Sequence, residues 1–432
     1  MGEGIAKKIK EKKALVGVIG LGYVGLPLAL SFAEAGFKVI GLEQSQKRRE
    51  QVNRGESYIS DVKDESLSRA VKSGQLKAID NYLPLKKADA VCICVPTPLD
   101  RNKQPDISYI KSVANNFAKI LRKGQLVILE STTYPGTTEE VVKPILEKSG
   151  LKAGQDFYLA FSPERVDPGN KKFDVRNIPK VVGGINKEST AIAALFYQQI
   201  ADKVHQVSSP RVAEMEKLLE NVFRSVNIAL VNEMAILCKK MGIDIWEVID
   251  AAKTKPYGFM PFYPGPGIGG HCIPLDPFYL AWKAKEYGIN TKFIELAGEI
   301  NEKMPEYVVE LVQDSLNDRG KTLKKAKIAV FGVAYKKDIS DWRESPSLKI
   351  IELLKHKGAR VEYNDPFVPQ LKINGWTMYS KEAKALRRAD CAVIVTDHTQ
   401  YDYRKILKEF PLVVDTRNAL QKSGASAKLV KI

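Results

Sequence analysis

The feature that most constrains this chain is Gly20-Leu21-Gly22-Tyr23-Val24-Gly25, which follows the apolar run Ala14–Gly20 and opens the helical run Leu26–Ala35, itself closed by Gly36. Glycines spaced in this way between a strand and a helix let the backbone turn tightly and lie against a pyrophosphate, whose charge is met by the helix N-terminus. Lys38–Leu42 reads as the next strand, and Glu43 closes it about twenty residues after the glycines, where an acid would hold the adenosine ribose hydroxyls. A carboxylate there repels a 2′-phosphate and favours NAD over NADP, with Lys47, Arg48 and Arg49 close by as a counterweight. Glycines alone would suit a tight turn with no ligand; strand, glycines, helix and acid together make that the weaker reading.

Further apolar runs at Ala90–Val95, Leu126–Leu129 and Phe157–Phe161 alternate with helical stretches, the pattern of a parallel sheet covered by helices on both faces. Two of them end in polar residues, Pro96-Thr97-Pro98 and Glu130-Ser131-Thr132. Ligands of doubly wound sheets bind outside the carboxyl ends of the strands, which makes Thr97 and Thr132 candidate cofactor contacts rather than ordinary turn residues. Pro210–Gly242 has no internal Gly or Pro and predicts one long helix; helical sequence resumes after an interruption over 256–277 and runs to about Ser315. A second α/β pattern follows: strand Lys327–Val333, helix Ser347–Lys357 ended by Gly358, then strands Arg360–Tyr363, Ala392–Val395 and Leu412–Val414. Charged Asp318–Lys325 is the expected linker. The fold class expected is α/β, with two doubly wound Rossmann-like domains joined by a helical middle domain that carries a long central helix. The division expected is 1–208, 209–317 and 318–432.

The net charge of +16 comes mainly from lysines spread along the chain. The block Lys7–Lys13 reads as a solvated surface, and with no recognition motif of interleaved aromatics no nucleic-acid partner is expected. A positive field suits an anionic small substrate instead. Of the five cysteines, Cys92, Cys94 and Cys238 lie in apolar runs and Cys391 begins another; no paired C-x-x-C set exists, so buried thiols in a reducing cytoplasm are expected. His271-Cys272 is the sole close His/Cys pair, too little to build a zinc site, and no metal is expected. The basic start leads directly into the first strand, which predicts no signal peptide, and no apolar stretch reaches membrane-spanning length.

The most informative stretch is Tyr263-Pro-Gly-Pro-Gly-Ile-Gly-Gly-His-Cys-Ile-Pro-Leu-Asp-Pro277. A lone cysteine is usually a small buried hydrophobe. Here Cys272 follows a glycine-rich loop, is flanked by His271, and precedes Asp276 by four residues, which favours a functional thiolate. Such a thiol beside NAD has a specific use. An aldehyde gives up a second hydride only after a nucleophile makes it tetrahedral; a thiohemiacetal on Cys272 would oxidise to a thioester for water to hydrolyse. Lys217, Asn221 and Arg224 are spaced i, i+4, i+7 on one face of the long helix, with Met215, Leu218 and Val222 on another stripe. A solvated face is the ordinary reading of such a row, yet this helix is the candidate to cross between domains. Lys217 would then stabilise an oxyanion or move a proton. Phe161-Ser-Pro-Glu-Arg-Val166 ends a strand and aims Glu164 and Arg165 toward the same cleft, Glu164 as acid/base or to position water.

These residues resemble the UDP-glucose/GDP-mannose dehydrogenase family of nucleotide-sugar 6-dehydrogenases, from about Val16 to the C-terminus. The resemblance rests on Gly20-x-Gly-Tyr-Val-Gly-Leu-Pro27, Glu130-Ser-Thr132, Phe161-Ser-Pro-Glu-Arg165, Glu216-Lys-x-x-x-Asn221, Gly269-Gly-His-Cys272 and Lys336-x-x-x-x-x-x-Arg343-Glu-Ser-Pro346. It implies an N-terminal NAD domain, a C-terminal UDP domain and a homodimer, or higher homo-oligomer, built on the long helix. It implies a nucleophilic Cys272 and an acid/base or oxyanion role for Lys217, assisted by Asn221 and by Asp276, the latter activating water. Gly20, Gly22, Tyr23, Val24, Gly25, Glu43, Arg48, Thr97, Thr132 and Arg343 would contact NAD. Arg165, Val166, Lys217, Asn221, Arg224, Phe262, Gly269 and Lys336 would contact the UDP-sugar. Glu43 stands where the family more often has aspartate. The wording from Pro264-Gly-Pro-Gly267 through Leu280 resembles the UDP-N-acetylhexosamine branch, and Ile273-Pro274 with Phe278-Tyr279-Leu280 leans toward UDP-N-acetylglucosamine. UDP-N-acetylmannosamine differs at C2 alone and stays open. Two other classes stay open as well: a two-electron hydroxyacid dehydrogenase, which needs neither the cysteine loop nor the second α/β domain, and a nucleotide-sugar sensor without turnover.

Overall fold

The computed structural model describes residues 2–59, 61–100, 103–166, 173, 175–270, 273–373, 375–420 and 428–432. By their internal contacts they form two compact units, Met1–Glu220 with Phe278–Ile289, and Asn221–Pro277 with Asn290–Ile432.

The first unit is built on eight strands: β1 (Leu15–Ile19), β2 (Lys38–Leu42), β3 (Leu76–Ile79), β4 (Ala90–Ile93), β5 (Leu126–Leu129), β6 (Tyr158–Phe161), β7 (Lys180–Gly184) and β8 (Val204–Val207). Their order is β3-β2-β1-β4-β5-β6-β7-β8, whose first six positions are the doubly wound dinucleotide-binding order. All neighbours are parallel except β6 and β7. Parallel pairing needs a crossover, usually a helix; among the described residues none lies between Phe161 and Lys180, and β7 returns antiparallel. β1, β4, β5 and β6 are buried almost end to end, which is why they read as continuous apolar runs. The helix Gly25–Glu34 buries Leu26, Leu28, Ala29, Phe32 and Ala33 against the sheet, with Phe32 stacked on Phe196 at 4.2 Å.

The charged residues of the block Lys7–Lys13 are exposed, as expected, but the segment is also anchored. Gly2–Lys10 is a helix that sinks Ile5 and Ile9 into the core, and Lys8 reaches Asp89 at 2.9 Å. Two isoleucines four residues apart share one helical face, and the interleaved lysines hid that short stripe.

The second unit holds a parallel sheet ordered β10-β9-β13-β14-β15, from β9 (Lys327–Phe331), β10 (Arg360–Asn364), β13 (Cys391–Ile394), β14 (Val413–Asp415) and β15 (Leu429–Lys431). An antiparallel pair, β11 (Gln370–Ile373) and β12 (Trp376–Tyr379), sits beside it in sequence. Its core joins Ile328, Val330, Val393 and Val414 of the sheet to Ile350, Ile351 and Leu354 of the helix Pro346–His356 and to Met304, Val308 and Val312 of the helix Lys292–Asn317. The long helix Pro210–Met241 adds Ala235 and Cys238 to this core. Among the described residues, no helix is long and apolar enough to cross a membrane.

Candidate active site

The glycine turn is assembled as its spacing requires. Gly20 adopts φ +91°, a conformation that only glycine takes without strain, and a Cβ there would run into the Cys94 carbonyl. A Cβ on Gly25 would strike the Gly20 carbonyl, so the helix start lies directly on the turn. Nothing lies within 4 Å of where a Cβ on Gly22 would sit, leaving room for a ligand to approach the backbone. Glu43 is buried at the end of β2; its Oε2 accepts the Leu21 N–H at 3.3 Å and its Oε1 the Ser45 N–H at 2.9 Å. The acid therefore holds the glycine turn and keeps lone pairs for ribose hydroxyls. Arg48 lies 5.3 Å over the ring of Tyr58, whose hydroxyl donates to the Leu21 carbonyl at 2.5 Å. Burial, and secondarily the Glu43 carboxylate, push that phenol up. Tyr23 is exposed and Val24 caps the helix Gly25–Glu34. These features fit a dinucleotide.

At the next two strand ends the structure brings Thr97 and Thr132 together, the Thr97 hydroxyl donating to the Thr132 carbonyl at 2.7 Å. Ser131 clamps the same edge, its hydroxyl donating to the Val95 carbonyl at 2.7 Å and accepting the Val95 N–H at 2.9 Å. Beneath them lies a charged cluster that the sequence did not signal. Lys180 of β7 is 3% exposed, and its Nζ stands 3.0 Å from Glu130 Oε2, 3.1 Å from Glu164 Oε2 and 3.3 Å from the Pro163 carbonyl. Tyr197 donates its hydroxyl to Glu130. Glu164 Oε1 accepts the N–H groups of Arg165 and Val166 at 2.8 and 2.7 Å. Burial pushes the Glu164 carboxyl up, but Lys180 and the two N–H donors more than offset this and hold it below the usual range. Burial prevails at Glu130, which is raised.

Arg165 spends its guanidinium on the long helix. Nε and Nη2 bind Glu220, Nη2 lies 3.4 Å from Glu216, and Nη1 donates to the Pro179 carbonyl at 2.7 Å. Burial and the neighbouring Glu220 push Glu216 up to about 7. Two residues earlier, fully buried Glu214 accepts the N–H of Gly136 at 2.6 Å and both the N–H and hydroxyl of Thr138, at 2.9 and 2.7 Å. That contact fixes the start of the helix below Lys217.

Lys217 and Asn221 are buried rather than solvated, while Arg224 is exposed. In the second unit Asn221 donates its amide to Oδ2 of buried Asp276, the first residue of the helix Asp276–Lys285. Asn232 donates to Asn301 Oδ1 and accepts the Gly265 N–H, both at 2.9 Å, tying the long helix to the glycine loop. Phe262 meets Phe223 edge-on at 5.6 Å. Three glycines of this loop lie against protein. A Cβ on Gly269 would lie 2.7 Å from Tyr335 Cβ, one on Gly270 3.0 Å from the Tyr335 ring, and one on Gly265 2.8 Å from Arg417 Nη1. Cys272 and His271 lie outside the described residues.

Lys336 and Arg343 sit on the segment after β9, with Arg343 held by Asp341 at 2.9 and 2.7 Å. Two further groups were missed. Buried Asp365, just past β10, accepts the N–H groups of Val333 and Ala334 and pairs with fully buried His398 at 3.0 Å; His398 Nδ1 in turn accepts the Asp338 N–H. Arg417 donates Nε to the Val395 carbonyl at 3.0 Å, and among the described residues no carboxylate stands within ion-pairing distance of it; burial lowers its pKa. A guanidinium held this way suits an anionic ligand. The signal available was Asp415-Thr416-Arg417 at the end of an apolar run.

Three family models cover this frame: the NAD binding domain of the UDP-glucose/GDP-mannose dehydrogenase family at residues 14–201, its central domain at 211–303 and its UDP binding domain at 329–422. The chain belongs to this family. As a member it is an NAD-dependent dehydrogenase. It is 35% identical over 413 residues to a UDP-N-acetyl-D-mannosamine dehydrogenase of Pyrococcus horikoshii, covering 94% of this chain and 96% of that protein. It is 38% identical over 359 residues to a UDP-N-acetyl-D-glucosamine 6-dehydrogenase of Pseudomonas aeruginosa, covering 83% and 84%. Among solved structures, the UDP-D-ManNAc dehydrogenase of P. horikoshii superposes with a TM-score of 0.89 at 34% identity, over 97% of this chain and 99% of that one. A UDP-N-acetyl-mannosamine dehydrogenase of Staphylococcus aureus does so with 0.83 at 31%, over 97% of each.

Proposed function

We propose that this dehydrogenase oxidises the C6 alcohol of UDP-N-acetylglucosamine to the carboxylate in two successive two-electron steps. The observation that carries the reading is the buried Asn221–Asp276 pair, set at the start of the helix that begins four residues after Cys272. When bound, NAD supplies the hydride acceptor for each step. Cys272 adds to the aldehyde carbon and holds it as a tetrahedral thiohemiacetal, then as a thioester. Lys217 stabilises the oxyanion or moves the proton, Asn221 positions Asp276, and Asp276 or Glu164 orients the water that hydrolyses the thioester. Gly20, Gly22, Gly25, Glu43, Tyr23, Val24, Arg48, Thr97, Thr132 and Arg343 serve NAD. Arg165, Val166, Arg224, Phe262, Gly269 and Lys336 serve the UDP-sugar, to which Arg417 is added here. The division proposed is 1–208, 209–317 and 318–432, a reading supported by family models at 14–201, 211–303 and 329–422. A cytoplasmic homodimer is proposed as well, supported by the exposed apolar row Met215, Leu219, Phe223, Leu230, Met234 and Leu237 on the long helix.

UDP-N-acetylmannosamine is the second reading, favoured by the name of the P. horikoshii relative. Purified protein given excess NAD⁺ and, separately, UDP-N-acetylglucosamine, UDP-N-acetylmannosamine or UDP-glucose decides between them. Two NADH per sugar are expected with the first; preference for the second moves the assignment to the C2 epimer, and one NADH per sugar removes the thioester scheme. Cys272→Ser is expected to bind UDP-sugar and yield no carboxylate.

A further inference from the structure

We propose that Lys180 is a positioning residue for the hydrolytic half of the reaction, its buried ammonium holding Glu164 as a fixed carboxylate that receives a proton from the attacking water. The proposal rests on the reading of Glu164 as a water-orienting group. A carboxylate offers about four lone-pair directions. Lys180 takes one on Oε2 and the Arg165 and Val166 N–H groups take two on Oε1, which leaves one for a water. In the step itself the water oxygen bonds to the thioester carbon, its proton passes to Glu164, the C–S bond breaks and its electron pair returns to Cys272 Sγ.

The arrangement is an expensive one for structure alone. A buried ion cluster is commonly no more stabilising than apolar side chains of the same volume, and here one ammonium faces two carboxylates, Glu130 of β5 and Glu164. Tyr197, on the helix Lys187–Tyr197, takes up part of the surplus negative charge by donating to Glu130. The other titratable groups facing the cluster are Cys92 of β4 and Cys94, one residue past it, whose thiols burial pushes well up and keeps neutral, and Arg165, which is spent on Glu220. Lys180 is thus the cation that keeps Glu164 ionised, and the Glu130–Tyr197 pair aims Lys180.

The test uses the full-length enzyme with NAD⁺ and both UDP-N-acetylhexosamines, following turnover and the intact mass of acid-quenched enzyme at about pH 7 and about pH 9. Lys180→Met leaves Glu164 fully buried without its counter-ion, so desolvation prevails and its carboxyl rises by about three to five pH units. At about pH 7 the variant should turn over at least tenfold more slowly with little change in KM and accumulate the thioester adduct. At about pH 9 the adduct should clear. Lys180→Arg should restore the wild-type profile, and Glu164→Gln should accumulate adduct at both pH values. Should Lys180→Met fail to fold, Glu130→Gln/Lys180→Met removes one charge of each sign and is expected to give the same pH-dependent adduct. Wild-type turnover, or slow turnover with no adduct at either pH, in a folded Lys180 variant overturns the proposal while Glu164→Gln stays impaired. A fully active Glu164→Gln instead overturns the underlying reading of Glu164.

Discussion

Replacing Gly269 by alanine puts a methyl group where the second unit has no room for one. The new Cβ would lie 2.7 Å from Tyr335 Cβ, 2.9 Å from Pro346 Cδ and 3.0 Å from the Glu344 carbonyl oxygen. Carbon pairs rest at about 3.5–4.0 Å, so the glycine loop must withdraw by about 1 Å or the segment after β9 must yield. The φ of Gly269 lies outside the left-handed region, and alanine meets no backbone penalty there. The whole cost is contact, which for overpacking of this kind is about 1–3 kcal/mol. Cys272 follows three residues later, and a misplacement of 1 Å near reacting atoms costs about 10² in rate. Urea unfolding, steady-state NADH production and NAD⁺ binding by the variant form the assay. The expected outcome is a loss of about 1–3 kcal/mol and a kcat about a hundredfold lower, with NAD⁺ affinity unchanged because the Gly20–Gly25 turn belongs to the other unit. Wild-type stability with wild-type kcat would refute the reasoning, since it would mean that the loop does not rest on Tyr335 and Pro346.

Asp365→Asn should cost on the order of 3 kcal/mol at neutral pH, because an amide would face N–H donors that now meet a carboxylate. Burial pushes Asp365 up, but His398 and the backbone donors more than offset it, and the folded pKa lies below the ordinary value. Its contribution is therefore present above about pH 4 and lost as pH falls through the lower folded value; urea midpoints at about pH 7 and about pH 3 should show the gap to wild type narrowing, and a constant gap would count against an ionised Asp365. Ile9→Ala opens a cavity under the N-terminal helix and should cost about 2–4 kcal/mol, seen as faster amide exchange across residues 2–10 and a lower thermal midpoint. Glu43→Gln should narrow the preference for NAD⁺ over NADP⁺, and an unchanged ratio of kcat/KM values would show that Glu43 does not face the 2′ position.

Apolar strands were legible to within two residues: β1, β2, β4, β5, β6, β9, β13 and β14. Two of the strands missed have residues that do not report burial. β8 is Val-His-Gln-Val at the edge of its sheet, half exposed, and β7 ends in two glycines that read as a turn. The β11–β12 hairpin did carry a signal, Asn374-Gly375 between apolar residues. Among the site residues, the glycine turn and Glu43 were legible because strand, turn, helix and acid are local. Lys180 was not, because a lysine opening a strand has no mark in sequence that its ammonium will meet two carboxylates, sixteen and fifty residues away. The same holds for Gly269, whose need for glycine is set by Tyr335 and Pro346 across the fold.

The two α/β sheets make the same turn and use it differently. In the first, Gly20 at φ +91° donates its N–H to the Leu42 carbonyl, a Cβ on it would strike the Cys94 carbonyl, and the Leu21 N–H meets Glu43, one residue past β2. In the second, Gly332 at φ +80° donates to the Asn364 carbonyl, a Cβ on it would strike the Thr396 carbonyl, and the Val333 N–H meets Asp365, one residue past β10. The position is the same; the number of donors on the acid is not. Glu43 accepts the Leu21 and Ser45 N–H groups, so about two of its four lone-pair directions remain for ribose hydroxyls. Asp365 accepts Val333, Ala334, Phe367 and Val368 N–H groups and pairs with His398 as well. With His398 Nδ1 already accepting the Asp338 N–H, the ring proton sits on Nε2 and points at Asp365. That acid is saturated and buried, and a ribose would have to break the bonds that shape the turn carrying Lys336. Saturation of one acid, rather than any difference in fold, leaves the first turn open to a dinucleotide and makes the second a rigid support for the residues that follow it.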